Sequence, residues 1–600
     1  MSSKAKAKVL DILLICWILF LLTITLVRNC YGIEITDEAF HISESISVMR
    51  GNIPYTYAMS CTPGFTFIML PLVKLYSFLV PDLEGIFLFT RIAFMLFRMG
   101  ILLLSYFLLR KYYKKKYLIF ILSLLIPVWG SDIPNFSYNT ISIWLLFLVS
   151  VIQLSTIKSG NQKIILWGAV LSGAIVAVAE FAHIAQVLNV FWFGLTYLLC
   201  TRKKYQPLAV YILTGLFVLF AVLGIIAARE GLDKLVFGIE TIITYTNFST
   251  VKLSIYEQLK NIVIVFQKSI HIFSFTIAVC WALCWGIQIV PINYGKFKLE
   301  CIKKAAVNIR TVDIILLAML LAIRNIFKYG SLSYIKLQLG AIGGILVILC
   351  WMKALIKRDR NTGEVTALMM MYPLSQFIVT GFFTGTPAYL RTYPLIFSVF
   401  GFGILLEEYV CEGSIIRKLL AISSLSGFFC LLLYGDYYYV YRDGSIDTLD
   451  TRVEQGIYKH VYTSSENARN IVELENYIKE NASSNNRVLY LDLAPMAYLM
   501  SEGIPWAPST WDTMQYSYGF NHPEIMYRYF KNKGSIPDIV IYIDFGRDEQ
   551  ISVDDENYLF NDFINKYYVL DDSQTLNDQF RVKKYVRNEE EVSYKVISDE

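Results

Sequence analysis

Apolar runs of membrane-spanning length recur along the chain, at 9–29, 85–109, 117–131, 140–157, 164–180, 184–200, 207–228, 262–290, 312–329, 338–356, 364–382, 393–410 and 418–435. A helix of about 20 apolar residues covers the hydrocarbon thickness of a bilayer, so this pattern predicts a polytopic helical bundle. One more apolar piece, GFTFIMLPLVKLYSFLV at 64–80, carries Pro71 and Lys74, and both disfavour a crossing helix. Leaving that piece at the interface puts the basic loops 110–116, 201–204, 296–310, 357–360 and 417–418 on one side with the basic N-terminus. Cytoplasmic loops carry an excess of Lys and Arg, so that side is the inside.

The expected fold class is therefore an α-helical polytopic membrane protein of about 13 transmembrane helices, N-terminus cytoplasmic, in the plasma membrane. After about residue 436 the pattern changes. RVLYLDL (487–493) and PDIVIYIDF (537–545) read as strands with the helix-like APMAYLMSEG between them, which predicts a small C-terminal α/β domain outside the membrane. The domain plan is a membrane domain over 1–435, with an outer juxtamembrane loop at 30–84, and an extracytoplasmic domain over 436–600. The other outer connections are the short loop 131–140 and the loop 229–261.

Composition agrees with the pattern. The chain is 55% hydrophobic and 17% charged, which excludes a wholly water-soluble protein. Its net charge of +5 is divided among short loop clusters instead of one basic face, so nucleic acid is excluded as a partner. The 10 Cys show no CxxC or Cys/His spacing and read as packing residues. The basic start with a long first apolar run reads as an uncleaved anchor.

Candidate chemistry gathers in YGIEITDEAFHISESISVMRGNIPY, residues 31–55. At about 100° per residue, Asp37, His41, Glu44 and Val48 share one side of a helix and Ala39, Ile42, Ile46 and Met49 the other. This predicts an amphipathic helix on the membrane surface with its polar face in water, started by a Thr36 cap. A plain surface anchor fits the same pattern. Carboxylates at the water line beside a His can also take a proton or bind a divalent cation. Transfer of a sugar from a lipid phosphate needs a single base, because its leaving group is already a stable anion.

The motif TDEAFH…RGNIPY, the Pro63-Gly64 start of the apolar surface segment, the many spans and the outer C-terminal domain together resemble the GT-C glycosyltransferases. The layout is similar to the bacterial lipid A aminoarabinose transferases, the protein O-mannosyltransferases and their bacterial relatives. The resemblance covers about 1–435. It implies an enzyme that moves a sugar from a polyprenyl-phosphate donor to a glycan, lipid or protein acceptor at the outer face, with membrane lipid around it. It also implies that Asp37 is the general base, and that Glu38, with His41 and Glu44 nearby, binds acceptor or a divalent metal ion. In the second outer loop Asn139 stands where the family carries an acid. Donor phosphate would be met by Arg391 in GTPAYLRTYP, by Arg324 and Lys328 one turn apart in LAIRNIFKYG, and by His183 in AEFAHIAQ, where the family often has Lys. The competing readings are a transporter or flippase for lipid-linked glycans, and a polysaccharide polymerase. A flippase would carry charges near the midplane and internal repeats.

Overall fold

The computed structural model describes residues 3–57, 63–129, 133–249, 437–511, 523–545 and 560–588, apart from a few positions within them, together with scattered residues elsewhere. The protein is mostly helical, and five of its described helices are long and apolar enough to cross a membrane. They are α1 (Ser3–Asn29), α4 (Ile86–Leu109), α6 (Tyr138–Ser159), α7 (Gln162–Ala182) and α9 (Tyr205–Glu230), with α2 (Asp37–Met49), α3 (Thr66–Leu79), α5 (Lys115–Ser123), α8 (Leu188–Cys200) and α10 (Leu232–Ser249) between and after them.

These helices sit in a clear radial order. The α6 span is 94% buried, α4 and α7 are 39% buried, and α1 and α9 only 11%. The outer pair accordingly presents Leu10, Leu13, Phe20, Leu213, Phe217 and Phe220 outward, the surface expected to face lipid tails. Helix α6 starts with a capping box, in which Thr140 N donates to Ser137 Oγ at 3.0 Å and Ser137 N to Thr140 Oγ1 at 2.8 Å. It stops at Gly160, whose φ of 64° lies in the left-handed region. Helix α7 turns back at once and crosses α9 closely at Gly173, where a Cβ would lie 2.3 Å from the Tyr211 carbonyl oxygen.

Two expectations change in detail, those for 117–131 and 229–261, while 64–80 holds a short helix. Helix α3 has 14 residues with Pro71 inside it, about 21 Å at 1.5 Å per residue, too short for a hydrocarbon core of about 30 Å. The 117–131 run is helical only to Ser123 and then breaks into turns. The 229–261 loop is largely the helix α10, started by Asp233 in its first turn. The runs 262–290, 312–329, 338–356 and 364–382 lie outside the described residues.

The C-terminal part is a small α/β region. After two short hairpins, β1 (Tyr439–Val440) with β2 (Gly444–Ser445) and β3 (Thr451–Arg452) with β4 (Tyr462–Thr463), a sheet forms from β5 (Arg487–Leu491), β6 (Ile504–Pro505), β7 (Ile539–Asp544), β8 (Tyr568–Leu576) and β9 (Phe580–Arg587). Its order is β6-β5-β7-β9-β8. β7 pairs parallel with β5 and antiparallel with β9, and its Ile539–Ile543 run is buried throughout, as a central strand covered on both faces requires. Helices α11 (Ser465–Asn481), α12 (Ala497–Met500), α13 (Pro523–Lys533) and α14 (Asn561–Tyr567) complete it.

This region is seated directly on the loops that follow α1 and precede α4. Gly32 N donates to Tyr462 O at 2.8 Å and Tyr462 N to Cys30 O at 2.7 Å, while the Tyr31 and Tyr462 rings stack at 5.2 Å. Gly85 N donates to Gly456 O at 2.9 Å, and the Phe87 and Tyr458 rings stack at 3.9 Å. Farther along, Tyr529 Oη donates to Asn52 Oδ1 at 2.8 Å.

Candidate functional site

The acidic segment after α1 is shaped first by its backbone. Gly32 has φ 95°, and a Cβ there would fall 2.1 Å from Val440 Cγ1, so the close approach of β1 needs a glycine in that position. The chain then folds the Glu34 side chain over the start of α2. Thr36 N donates to both Glu34 oxygens at 3.2 Å, Glu38 N donates to Oε2 at 2.5 Å, and the Thr36 hydroxyl donates to Oε1. Glu34 therefore satisfies the open end of the helix, and the expected Thr36 cap bond is not made.

The polar face of α2 is not in water. Residues Glu38 to Val48 are all buried; on the face that the periodicity assigns to solvent, the C-terminal region covers Glu44, and Phe65 and Tyr138 cover His41. Glu44 Oε1 accepts from Thr510 N at 2.6 Å, Ser509 Oγ at 3.0 Å and Thr510 Oγ1 at 3.1 Å. Burial raises the Glu44 carboxyl above its ordinary value against the pull of those donors. Glu44 thus anchors the 509–510 turn to α2.

Glu38 is likewise engaged from within. Arg91, on α4, reaches it with both arms: Nε to Oε1 at 2.7 Å and Nη2 to Oε2 at 2.6 Å. Asn135 Nδ2 adds a third bond to Oε1 at 2.7 Å. The remaining N–H groups of Arg91 donate to the carbonyls of Asn29 (3.0 Å), Tyr31 (3.2 Å) and Gly32 (2.7 Å). With side-chain exposures of 2% and 1%, this bidentate pair ties α4 to both ends of the loop. Both Glu38 oxygens are therefore engaged, Oε1 by two donors and Oε2 by Arg91.

Asp37 is different. Its side chain is 26% exposed, and its partners both come from the C-terminal region: Tyr441 Oη donates at 3.0 Å and Arg442 Nη1 lies 3.2 Å away. The same Arg442 nitrogen reaches Glu34 Oε1 at 3.2 Å and Thr36 Oγ1. Two carboxylates and one guanidinium therefore meet where α2 begins. Burial and the charge of Asp37 push Glu34 up to about 7, opposed by Arg442. Around Tyr441 the side chains of Arg28, Glu34, Glu38, Arg91 and Val440 close on a small cleft of about 10 Å³, room for about one water molecule.

The two expected histidines face a different environment. His41 is 2% exposed, its ring packs on Phe65 and Tyr138 at 5.1 Å each, and neither nitrogen has a hydrogen-bond partner among the described residues. Burial lowers it to about 3, so it stays neutral. His183 packs on the other side of Tyr138 at 4.9 Å, with Gln186 Nε2 3.3 Å from Nδ1, and burial lowers it to about 3 as well. Burial thus disfavours the charged form of His183. Asn139 sits in the first turn of α6 with its Oδ1 buried and unpartnered among the described residues. Arg391, Arg324 and Lys328 lie outside the described residues.

Glu38 turns to Arg91 while His41 turns to Phe65 and Tyr138, so the two do not form a ligand pair. Among the described residues no group of three or more His, Cys, Asp or Glu is arranged to hold a metal ion. Sequence reasoning missed Glu34, Arg91, Asn135, Tyr441 and Arg442. Arg91 carried a signal: with Arg98 it places two cations seven residues apart on one face of an apolar run, and intramembrane cations need partners. The pair Tyr441 and Arg442 carried none, since only the tertiary fold brings them to Asp37. No protein-family model matches this chain, and no curated protein matches it.

Proposed function

We propose that the chain is an integral membrane glycosyltransferase of the GT-C type, with about 13 spans, that moves a sugar from a polyprenyl-phosphate donor to an acceptor hydroxyl on the outer face of the plasma membrane. The anomeric centre inverts, and the acceptor is a cell-envelope glycan, lipid or protein. The observation that carries this reading is the selective exposure of Asp37. Glu34 and Glu38 are 5% and 1% exposed and bonded inward, whereas Asp37 is 26% exposed. A general base has to reach the proton it takes.

In the proposed reaction, Asp37 accepts the proton of the acceptor hydroxyl as its oxygen attacks the anomeric carbon. The phosphate departs as an anion and needs no acid, unlike the alkoxide of glycoside hydrolysis, where a second carboxyl serves that purpose. Cations near the departing phosphate are assigned to Arg391, Arg324 and Lys328 on sequence grounds. No step is routed through a metal ion. The contact between the 30–32 strand and the C-terminal region supports the reading, because base and tail then share one compartment.

The test is transfer from a panel of polyprenyl-phosphate sugars by the wild-type protein and by Asp37→Asn. The expected result is loss of turnover by about 10²–10⁴-fold with retained donor binding, the usual contribution of a positioned base. Equal turnover by both proteins removes Asp37 from this role.

A further inference from the structure

The residue that faces Asp37 is itself unusual. Arg442 has φ 60°, in the left-handed region that non-glycine residues rarely occupy, and such backbone persists only where the surroundings enforce it. The enforcement comes from its neighbour. Asp443 accepts from Ile33 N at 2.7 Å, from Thr463 Oγ1 at 2.8 Å and from Asn467 Nδ2 at 2.8 Å, and so pins the β1–β2 turn between α11 and the loop after α1. The turn therefore holds Arg442 in one place.

Its hydrogen bonding is one-sided. Nη1 alone makes the contacts to Glu34, Thr36 and Asp37. The guanidinium lies 4.9 Å over the Tyr441 ring and its side chain remains 43% exposed, with Nε and Nη2 making no hydrogen bond to any described residue. A guanidinium with its remaining N–H groups presented to solvent matches two oxygens of a phosphate, while the Asp37 and Glu34 carboxylates hold its other edge at 3.2 Å each.

We infer that Arg442 is a phosphate-binding residue supplied by the C-terminal region, which receives the phosphate of a lipid-linked sugar through Nε and Nη2 while Nη1 keeps its hold on Asp37. This inference rests on the glycosyl-transfer reading for its substrate class, and it gives the C-terminal region a part in the reaction itself. The step balances. The acceptor oxygen bonds to the anomeric carbon and its proton passes to Asp37. The bond from the anomeric carbon to the phosphate oxygen breaks with its electron pair on the phosphate, which gains one negative charge beside Arg442. The residue does not replace the cations expected of the middle spans; it adds one from the C-terminal region.

The experiment measures binding of farnesyl phosphate to the full-length protein in detergent, by quenching of tryptophan fluorescence, for wild type, Arg442→Gln, Arg442→Lys and the exposed-charge control Arg469→Gln. Farnesol reports on the integrity of the apolar part of the site. Arg442→Gln should weaken farnesyl phosphate binding by tenfold or more and leave farnesol binding unchanged, Arg442→Lys should fall between, because lysine lacks the planar fork, and Arg469→Gln should match wild type. Competition by inorganic phosphate would assign the recognition to the phosphate group alone, and competition only by phosphorylated lipids would assign it to the lipid headgroup; either arm supports the site. Farnesyl phosphate binding by Arg442→Gln within twofold of wild type, or an equal loss of farnesol binding, overturns it. The two proposals also separate in the transfer assay. Wild-type turnover by Arg442→Gln would sink the phosphate role and leave the transferase reading intact. Loss of farnesyl phosphate binding in a protein that transfers none of the sugars tested would leave the phosphate site standing without that reaction.

Discussion

Removing Arg91 should damage the protein more than removing Arg91 and Glu38 together. In Arg91→Met the Glu38 carboxylate, 1% exposed, keeps only the Asn135 donor. Breaking a buried ion pair from one side costs about 3–5 kcal/mol, because an uncompensated charge is left behind. The carbonyls of Asn29, Tyr31 and Gly32 lose their donor as well. In the double variant Arg91→Met with Glu38→Met the charge is gone, and only those carbonyls are orphaned, at about 1–3 kcal/mol. The double variant should thus be the more stable of the two, by about 2 kcal/mol or more, because only Arg91→Met carries the stranded charge. Unfolding by SDS titration in mixed micelles, followed by the fluorescence of the 10 Trp, gives these free energies. A double variant no more stable than Arg91→Met would refute the argument that the pair acts as one buried unit.

His41 supplies an acid-sensitivity prediction. Its folded value, about 3, lies below its ordinary 6.5, so below pH 6.5 the unfolded chain takes up a proton that the folded protein refuses. Stability should fall as pH drops from 6.5, by up to about 1.4 kcal/mol per pH unit from this group, and His41→Phe, which suits the Phe65 and Tyr138 packing, should reduce that slope in the same unfolding titration. Glu34 acts in the opposite sense. Its folded value of about 7 exceeds the ordinary 4.5, so the folded state holds the extra proton and stability declines as pH rises from 4.5 to 7; Glu34→Gln should flatten that decline. Gly32→Ala should loosen the C-terminal region from the loop, since Val440 occupies the space of a Cβ, and limited trypsin digestion should release that region faster than in wild type. Gly173→Leu should force α7 from α9 and lower the SDS concentration of unfolding, as overpacking by several methylenes costs about 1–3 kcal/mol.

Hydrophobic length was enough to locate the large helices. The runs 85–109, 140–157, 164–180 and 207–228 lie within two or three residues of α4, α6, α7 and α9, because the bilayer imposes both length and composition on them. Strands β5 and β7 were legible for a related reason, since a central strand is apolar on both faces. The amphipathic period of α2 located the helix but misjudged its wet side. A polar face is written the same way for water as for a docked domain, and Glu44 bonded to Ser509 and Thr510 looks in sequence like a Glu in solvent. Glu34 escaped notice since a side chain that caps from three residues before the helix departs from the usual pattern. The Asp37 partners are separated from it by 404 residues or more, beyond the reach of any local pattern.

That separation has a consequence for how the protein is made. Asp37 waits for Tyr441, and Glu44 waits for Thr510, which follow them in the chain by 404 and 466 positions respectively. Until the last stretch of polypeptide arrives, the loop after α1 is an unfinished half with unpaired acids, and contacts of such long sequence separation form late. A nascent chain halted before residue 439 therefore carries Asp37 without Tyr441 and Arg442, so assembly order itself leaves this corner of the protein open until the C-terminal region is made.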